Sequence, residues 1–169
     1  MIGRERVERE FQLARQIQKT FLPQSIPGVA GWDFDLRWRT AREVGGDFYD
    51  VFQTNDQKIA FAIADVADKG MPAALYMTVT RTLIRAVAQT VSSPAEVIHR
   101  VNELLYRESP DGMFVTAVFA ILDPKTGLLE YANAGHNLPL LFRARSQQIE
   151  KLAKGEMALG VIENVNYVS

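Results

Sequence analysis

Two aspartates, Asp47 and Asp65, are the residues of this sequence best suited to chemistry. Asp47 follows two glycines, and Asp65 lies near the end of an apolar run. Turn-forming residues at 54–57 separate two β-prone segments, which predicts a tight hairpin centred near residues 55 and 56. Such a hairpin places position 47 opposite position 65, within one register step, where paired Cβ atoms are roughly 5 Å apart.

Two carboxylates at that distance repel each other and add nothing to the stability of a fold. A divalent cation removes the conflict, because Mg²⁺ and Mn²⁺ prefer carboxylate, carbonyl and water oxygens. The alternative is that both aspartates simply end their strands in solvent, where Asp is common. Spacing alone leaves the metal site and this structural interpretation open.

The second strand of the hairpin alternates between two kinds of side chain. One face carries large apolar residues and ends in Asp65, and the other carries small residues and Val66. We therefore expect the large face to pack on another sheet and the small face to be covered by a helix. Asp65 then lies at the rim of a core.

Three motifs, in order along the chain, carry a resemblance to a known family. They are Glu43–Asp50 (EVGGDFYD), Asp65–Ala74 (DVADKGMPAA) and Ala134–Pro139 (AGHNLP). Together they resemble the SpoIIE/RsbU-type branch of the metal-dependent protein phosphatases, the type 2C superfamily. The resemblance runs from about residue 14 to the end of the chain.

The resemblance implies two Mn²⁺ or Mg²⁺ ions in a complete domain. It implies Asp47 and Asp65 as catalytic metal ligands, with the main-chain carbonyl of Val66 as a further ligand. The family often has Gly where this chain has Asp68. The implied activity is hydrolysis of phosphoserine or phosphothreonine on a protein substrate, such as a phosphorylated anti-sigma-factor antagonist of a bacterial pathway.

Two other classes of function are compatible with parts of the sequence. A non-catalytic signalling module could use the same fold only to bind a partner. Retention of Asp47 and Asp65 argues against it for the complete protein, but the absence of the further metal-binding aspartates leaves it open for this chain. A carboxylate-metal nuclease is disfavoured because the formal net charge is -1 and no basic stripe is present, so we expect no nucleic-acid partner.

The expected fold class is α+β: an α-β-β-α sandwich of two mainly antiparallel sheets flanked by helices, as in type 2C phosphatases. Residues 1–27 are predicted to form a connector or regulatory helix and linker, and residues 28–169 a phosphatase domain. The family pattern continues with further metal-binding aspartates, which nothing after Asn164 matches; Asp111 and Asp123 lie in predicted turns and are not assigned. We therefore expect the N-terminal two-thirds of a domain, with little activity by itself.

Composition adds four limits. The 169 residues suffice for one domain with a substantial core. The sequence has no cysteine, which excludes disulfides and thiolate metal sites. No apolar run approaches the roughly 20 residues of a membrane span. No signal peptide opens the chain, so a cytoplasmic location is expected.

An N-terminal helix is predicted over residues 4–22. Apolar residues recur at three- or four-residue steps among charged ones: Val7, Phe11, Ala14, Ile17 and Phe21. Such a stripe fits a helix packed on its own domain. It also fits a connector from an upstream sensory or receiver domain that pairs with its copy in a homodimer, and the resemblance favours the connector.

The remaining elements follow from pattern. Alternation over 31–39 predicts a half-buried strand, and further strands are predicted at 114–122, 128–132 and 138–142. Helices are predicted after Gly70 and after the capping residue Ser93. Their predicted buried stripes are Leu75, Val79, Leu83 and Val87 in the first and Val97, Val101, Leu104 and Leu105 in the second.

Three polar residues have two interpretations each. Lys69 could add positive charge where a phosphate binds, but a solvated lysine is the simpler interpretation. His99 is expected to be a surface or hydrogen-bonded histidine rather than a ligand. His136 lies in a predicted glycine corner, and we expect it to fix that corner first and to serve as a general acid second.

Overall fold

Three helices and six strands form the described part of the chain. The computed structural model describes residues 2–40, 43–109, 112–153 and 155–169. In chain order the elements are α1 (Ile2–Phe21), β1 (Phe48–Gln53), β2 (Ile59–Val66), α2 (Met71–Ala88), α3 (Pro94–Glu108), β3 (Val115–Leu122), β4 (Leu129–Ala134), β5 (Leu140–Arg143) and β6 (Gln148–Lys151).

The strands form a four-stranded antiparallel sheet in the order β1-β2-β3-β4 and a separate antiparallel hairpin, β5-β6. The α+β class with antiparallel sheets is therefore confirmed. The sequence predicted every strand of this arrangement except β6. No helix in the described residues is both long and apolar enough to span a bilayer.

The two faces of the sheet are covered differently. The small side chains of β2 face helices α2 and α3, and all are at most 4% exposed: Ala60, Ala62, Ala64 and Val66. This confirms the predicted helix-covered face. On the large face, residues 26–36 cover Val51, Ile59 and Leu122, while Ile63 remains 52% exposed.

The segment at 31–39 is not the strand that its alternation predicted. Phe34 and Leu36 do turn inward, and the Phe34 ring lies 5.4 Å from that of Phe61, while the charged residues between them are exposed. The segment crosses the face of the sheet and has no ladder with a neighbouring strand in the described residues. Alternation predicts which side chains are buried, but a strand also needs a backbone partner.

The predicted buried stripe of α2 is only half right: Leu83 and Val87 are partly buried and pack against the core, but the first two residues of the stripe do not. Leu75 is 64% exposed and Val79 49% exposed. The fully buried residues of the helix are Ala73, Ala74, Tyr76, Met77, Thr80, Ile84 and Ala88. A helix that contacts both a sheet and another helix has apolar residues on more than one side, so one apolar stripe does not identify the buried face.

Helix α3 follows its prediction more closely. The Ser93 side chain accepts a hydrogen bond from Glu96 N at 3.4 Å and caps the helix. Val97, Val101 and Leu105 are buried as predicted, whereas Leu104 is 43% exposed. Leu104 joins Leu75 and Val79 in an apolar groove of about 610 Å³ between the two helices.

Helix α1 follows its predicted stripe in part: Phe11, Ala14 and Phe21 are partly buried. Val7 and Ile17 are about half exposed, at 49% and 51%. Gln18 and Leu22 are buried instead, at 4% and 6% exposed. A polar residue thus occupies the centre of the packed face, where an apolar one was expected.

Candidate metal centre

The hairpin brings the two aspartates together. The register pairs Phe48 with Ala64, so the preceding residue, Asp47, lies across from Asp65. Both side chains line the same two clefts, so the carboxyl groups lie together at this end of the hairpin. The predicted juxtaposition on neighbouring antiparallel strands is therefore confirmed, and its cause is the turn at residues 54–57, which sets the register.

Electrostatics at this pair are unfavourable without a cation. Partial burial, followed by the hydrogen bond and the charge of Asp65, raises the pKa of Asp47 to about 6. His136 acts in the opposite direction on Asp47, which places the imidazole close to the pair. Burial lowers the pKa of His136, and the Asp47 charge opposes that change.

Two adjoining clefts open on the pair. One, of about 350 Å³, includes Gly45, Asp68, Lys69 and Gly70 in its wall. The other, of about 330 Å³, is lined by several polar and charged residues besides the two aspartates: Arg37, Arg39, His136 and Asn137. The apolar groove between α2 and α3 is more voluminous but has only Glu108 as a charged residue, so the chemistry belongs to the clefts at the aspartates.

The loop before Asp47 is packed too tightly for side chains. A Cβ on Gly46 would lie 2.9 Å from the Cβ of Val66 and 3.1 Å from the Val66 carbonyl oxygen. The glycine therefore lets the Asp47 loop lie directly against the Asp65-Val66 end of β2. The Val66 carbonyl oxygen therefore belongs to the residue after Asp65 and lies beside Gly46, the residue before Asp47.

The loop after Val66 reverses the chain into α2. Asp68 has a φ of 101° and Gly70 a φ of 78°, both in the region that favours glycine. Asp68 Oδ1 accepts a hydrogen bond from Lys69 N at 2.7 Å, which stabilises the unusual backbone. This geometry suits the glycine that the resemblance led us to expect at position 68.

Helix α2 begins at the wall of the cleft. Its N-cap is Gly70, which makes no side-chain cap hydrogen bond. The first-turn N–H groups and the positive end of the helix dipole therefore lie near the aspartates. Lys69 is exposed at the same wall.

His136 is held in a hydrogen-bonded corner, as predicted. The main-chain N–H of His136 donates to Asn133 Oδ1 at 2.8 Å, and Asn133 Nδ2 donates to the main-chain carbonyl of His136 at 3.2 Å. Its Nδ1 shares a 2.8 Å hydrogen bond with the hydroxyl of Thr116, the cross-strand partner of Asp65. The other histidine, His99, shares a 3.1 Å hydrogen bond with the Val165 carbonyl and lies away from the site, as predicted.

Two positioning residues of this site were missed from the sequence. Trp38 Nε1 donates to the Asp47 carbonyl at 2.9 Å, and Gln18 forms two hydrogen bonds with Gly45. A glutamine between Ala14 and Phe21 on an otherwise apolar helix face is the signal that could have identified Gln18.

The protein ligands available for a metal are few. Within the described ranges, no cluster of three or more His, Asp or Glu side chains is arranged to hold an ion. Asp123 accepts hydrogen bonds from Lys125 N and Thr126 N in its turn, and Asp111 lies outside the described residues. Two carboxylates and one nearby carbonyl suit a single hard cation that keeps several water ligands.

Comparison with known proteins assigns the family. Residues 55–169 match the family described as Stage II sporulation protein E (SpoIIE). The chain belongs to the SpoIIE family. Among solved structures, this SpoIIE-family chain is similar to the SiaA-PP2C domain of Pseudomonas aeruginosa, with a TM-score of 0.78 and 20% identity over 98% of this chain and 66% of that one. At that identity the likeness establishes the PP2C phosphatase fold.

Curated relatives of this SpoIIE-family chain include two longer bacterial proteins. Protein IcfG of Synechocystis sp. is 30% identical, covering 94% of this chain and 29% of IcfG. Phosphoserine phosphatase RsbU of Bacillus subtilis is 26% identical, covering 95% of this chain and 48% of RsbU. The chain thus spans less than half the length of either relative.

Proposed function

We propose that this chain carries the metal-binding core of a metal-dependent phosphoserine and phosphothreonine protein phosphatase. The carrying observation is the Asp47-Asp65 pair at the junction of two clefts, where burial, followed by the hydrogen bond and the charge of Asp65, raises the pKa of Asp47 to about 6. Family membership and the likeness to RsbU, a phosphoserine phosphatase, support this assignment.

Asp47, Asp65 and the Val66 carbonyl would hold Mn²⁺ or Mg²⁺ in this proposal. When bound, such ions lower the pKa of a water molecule and offset charge on a phosphoryl group, which promotes hydrolysis. The residues present fit this chemistry because they are hard oxygen donors, and because a cation relieves the repulsion between the two carboxylates.

The surroundings suit a phosphorylated side chain. Lys69 and the N-terminal turn of α2 place positive charge and N–H donors on one side of the pair. Arg37 and Arg39 place positive charge on the other side. In the proposal these groups attract and orient the phosphate. His136 keeps its role in the corner, and donation of a proton to the leaving group is its secondary role.

The wider context follows from the relatives and stays a proposal. The substrate would be a phosphorylated protein, such as an anti-sigma-factor antagonist or similar regulator in the bacterial cytoplasm.

Residues 1–27 would connect an upstream sensory or receiver domain to the phosphatase domain at 28–169. The half-exposed Val7, Leu13 and Ile17 give α1 a surface for a homodimer. Replacement of Leu13 by Glu should then lower the sedimentation coefficient at high protein concentration. If the wild type and L13E both sediment as monomers at that concentration, the dimer is excluded.

A non-catalytic partner-binding module is the second candidate. The small number of metal ligands among the described residues favours it. The two candidates differ in one measurable property, because a partner-binding module has no need of a cation at the aspartates.

Titration calorimetry with Mn²⁺ tests the proposed function. We expect the wild-type chain to bind Mn²⁺, and D47N and D65N each to abolish binding. D33N is the matched control, because Asp33 is an exposed aspartate outside both clefts, and it should bind as the wild type does. Binding that survives in D47N and D65N would exclude the metal centre and favour the partner-binding module.

A further inference from the structure

The side chain of Gln18 forms an unusual contact for a helix residue. It is only 4% exposed, and its amide pairs with the main chain of Gly45 in both directions. Nε2 donates to the Gly45 carbonyl at 2.6 Å, and Gly45 N donates to Oε1 at 3.2 Å. Both ends of the buried amide are thus satisfied by one residue of the loop before Asp47.

A single residue, Gly46, separates this pairing from Asp47 on one side and from the Asp65-Val66 end of β2 on the other. Gly45 is followed by Gly46, which packs against Val66, and then by Asp47. Contacts therefore run without a gap from helix α1 to both sides of the proposed site.

The loop depends on side chains for its position. Residues 43–46 belong to no helix or strand, so no backbone ladder fixes them. Arg15 and Glu43 form an ion pair at 3.3 Å, but both side chains are about half exposed, and such pairs contribute little. Trp38 holds the Asp47 carbonyl from the other side. Among the polar contacts that the described residues of α1 make with this loop, the buried, two-way pairing by Gln18 is stronger than the Arg15-Glu43 ion pair.

We propose that Gln18 is a positioning residue for the metal ligand Asp47, and that helix α1 is thereby part of the scaffold of the site. This inference rests on the proposed metal centre. It assigns α1 a second role besides that of a connector: when α1 is in place, Gly45 is held and Asp47 faces Asp65. Displacement of α1 releases Gly45 and loosens the site.

The test compares Q18L with Q16L in the full chain. Leucine keeps the approximate volume of glutamine but removes both hydrogen bonds, and Gln16 is an exposed glutamine on the same helix. In metal-free protein we expect the Gly45 amide to exchange with solvent at least about tenfold faster in Q18L, which corresponds to the loss of roughly one net hydrogen bond. We expect Mn²⁺ to bind about tenfold more weakly in Q18L and unchanged in Q16L.

Two further variants separate positioning from simple loss of stability. Q18E keeps an acceptor for Gly45 N but loses the donor to the Gly45 carbonyl, so it should weaken Mn²⁺ binding even if Q18L folds poorly. I98A removes a fully buried side chain of α3 far from the loop, so it should lower Tm without changing Mn²⁺ affinity.

Two results would overturn the positioning role: Gly45 exchange and Mn²⁺ affinity within twofold of wild type in Q18L and Q18E, or an equal loss of affinity in I98A. Failure of the proposed function looks different. In that case D47N would leave Mn²⁺ binding unchanged, while the exchange rate of Gly45 would still decide whether Gln18 holds the loop.

Discussion

Replacing Asp47 by Asn should stabilise the metal-free protein at neutral pH, although it removes a proposed ligand. The pKa of Asp47 is about 6 in the folded state against 3.8 for a free side chain. A carboxyl whose folded pKa is raised contributes stability below its unfolded pKa and loses that contribution as pH rises through the folded value. The wild type therefore loses stability between about pH 4 and pH 7 from this group.

The size of the effect follows from that shift. A pKa difference of about 2 corresponds to about 3 kcal/mol, because each pKa unit is worth roughly 1.4 kcal/mol. Asp47 is solvent-exposed as a whole residue, so screening reduces this to about 1 kcal/mol. For a chain of this length, 1 kcal/mol moves Tm by roughly 2–4 °C. We expect D47N to match the wild type near pH 4 and to exceed its Tm by about 3 °C at pH 7.5.

Differential scanning calorimetry from pH 4 to pH 7.5, with a metal chelator present, measures this difference. D33N serves as the control, and its Tm should follow that of the wild type at every pH. Addition of Mn²⁺ should reverse the order at pH 7.5, because the ion stabilises only the protein that binds it. A D47N protein that is less stable than the wild type throughout the pH range in chelator would refute the claim that burial and the neighbouring Asp65 disfavour the ionised form of Asp47.

Three further predictions address the packing and the capacity of the site. G46A should lower the free energy of unfolding by about 1–3 kcal/mol and weaken Mn²⁺ binding, because its Cβ would lie 2.9 Å from Val66 Cβ; unchanged denaturant midpoint and affinity would contradict the tight loop. D50N should lower Tm by roughly 5–10 °C, because it leaves two arginines without their buried carboxylate partner. Asp50 is 1% exposed, accepts hydrogen bonds from Arg85 Nε at 2.9 Å and Arg85 Nη2 at 2.7 Å, and forms an ion pair with Arg81 at 3.1 Å. An unchanged Tm would show that the two arginines find other partners. The chain should bind one Mn²⁺ weakly and turn over aryl phosphate little; tight binding of two ions with turnover would reveal ligands that we have not assigned.

The hairpin shows what sequence can predict about a site. The turn at residues 54–57 and the alternation along β2 are both local, and together they determine the register that pairs Asp47 with Asp65. The helix-covered face of β2 was predicted for the same reason, because small side chains on alternate positions let a helix lie close. The other face was expected to pack on a second sheet, and that expectation was wrong: the non-strand segment at 26–36 covers it instead. The site could be located because its two carboxylates belong to one local unit.

Helical faces were predicted less well, because they are chosen by distant partners. In α1 the apolar stripe suggested Ile17, but the structure buries Gln18. A glutamine becomes a favourable core residue only when a main-chain amide is placed to satisfy both its ends, and Gly45 is 27 residues away. In α2 the predicted Leu75 is exposed for a related reason, since the helix carries a second set of apolar residues, including Met77 and Ile84, and these are the ones buried in the core.

The departure at Asp68 shows how a local exception can be accommodated. Its φ of 101° costs a non-glycine residue on the order of 1–3 kcal/mol. Aspartate tolerates such a backbone better than most residues because its carboxylate can bind a nearby N–H, and Asp68 does this with Lys69 N. The same loop leads from Val66 to the first turn of α2. With this hydrogen bond, Asp68 maintains the backbone turn that leads from the proposed ligand Val66 to helix α2. It also adds a negative charge to the wall of a cleft that is proposed to bind cations.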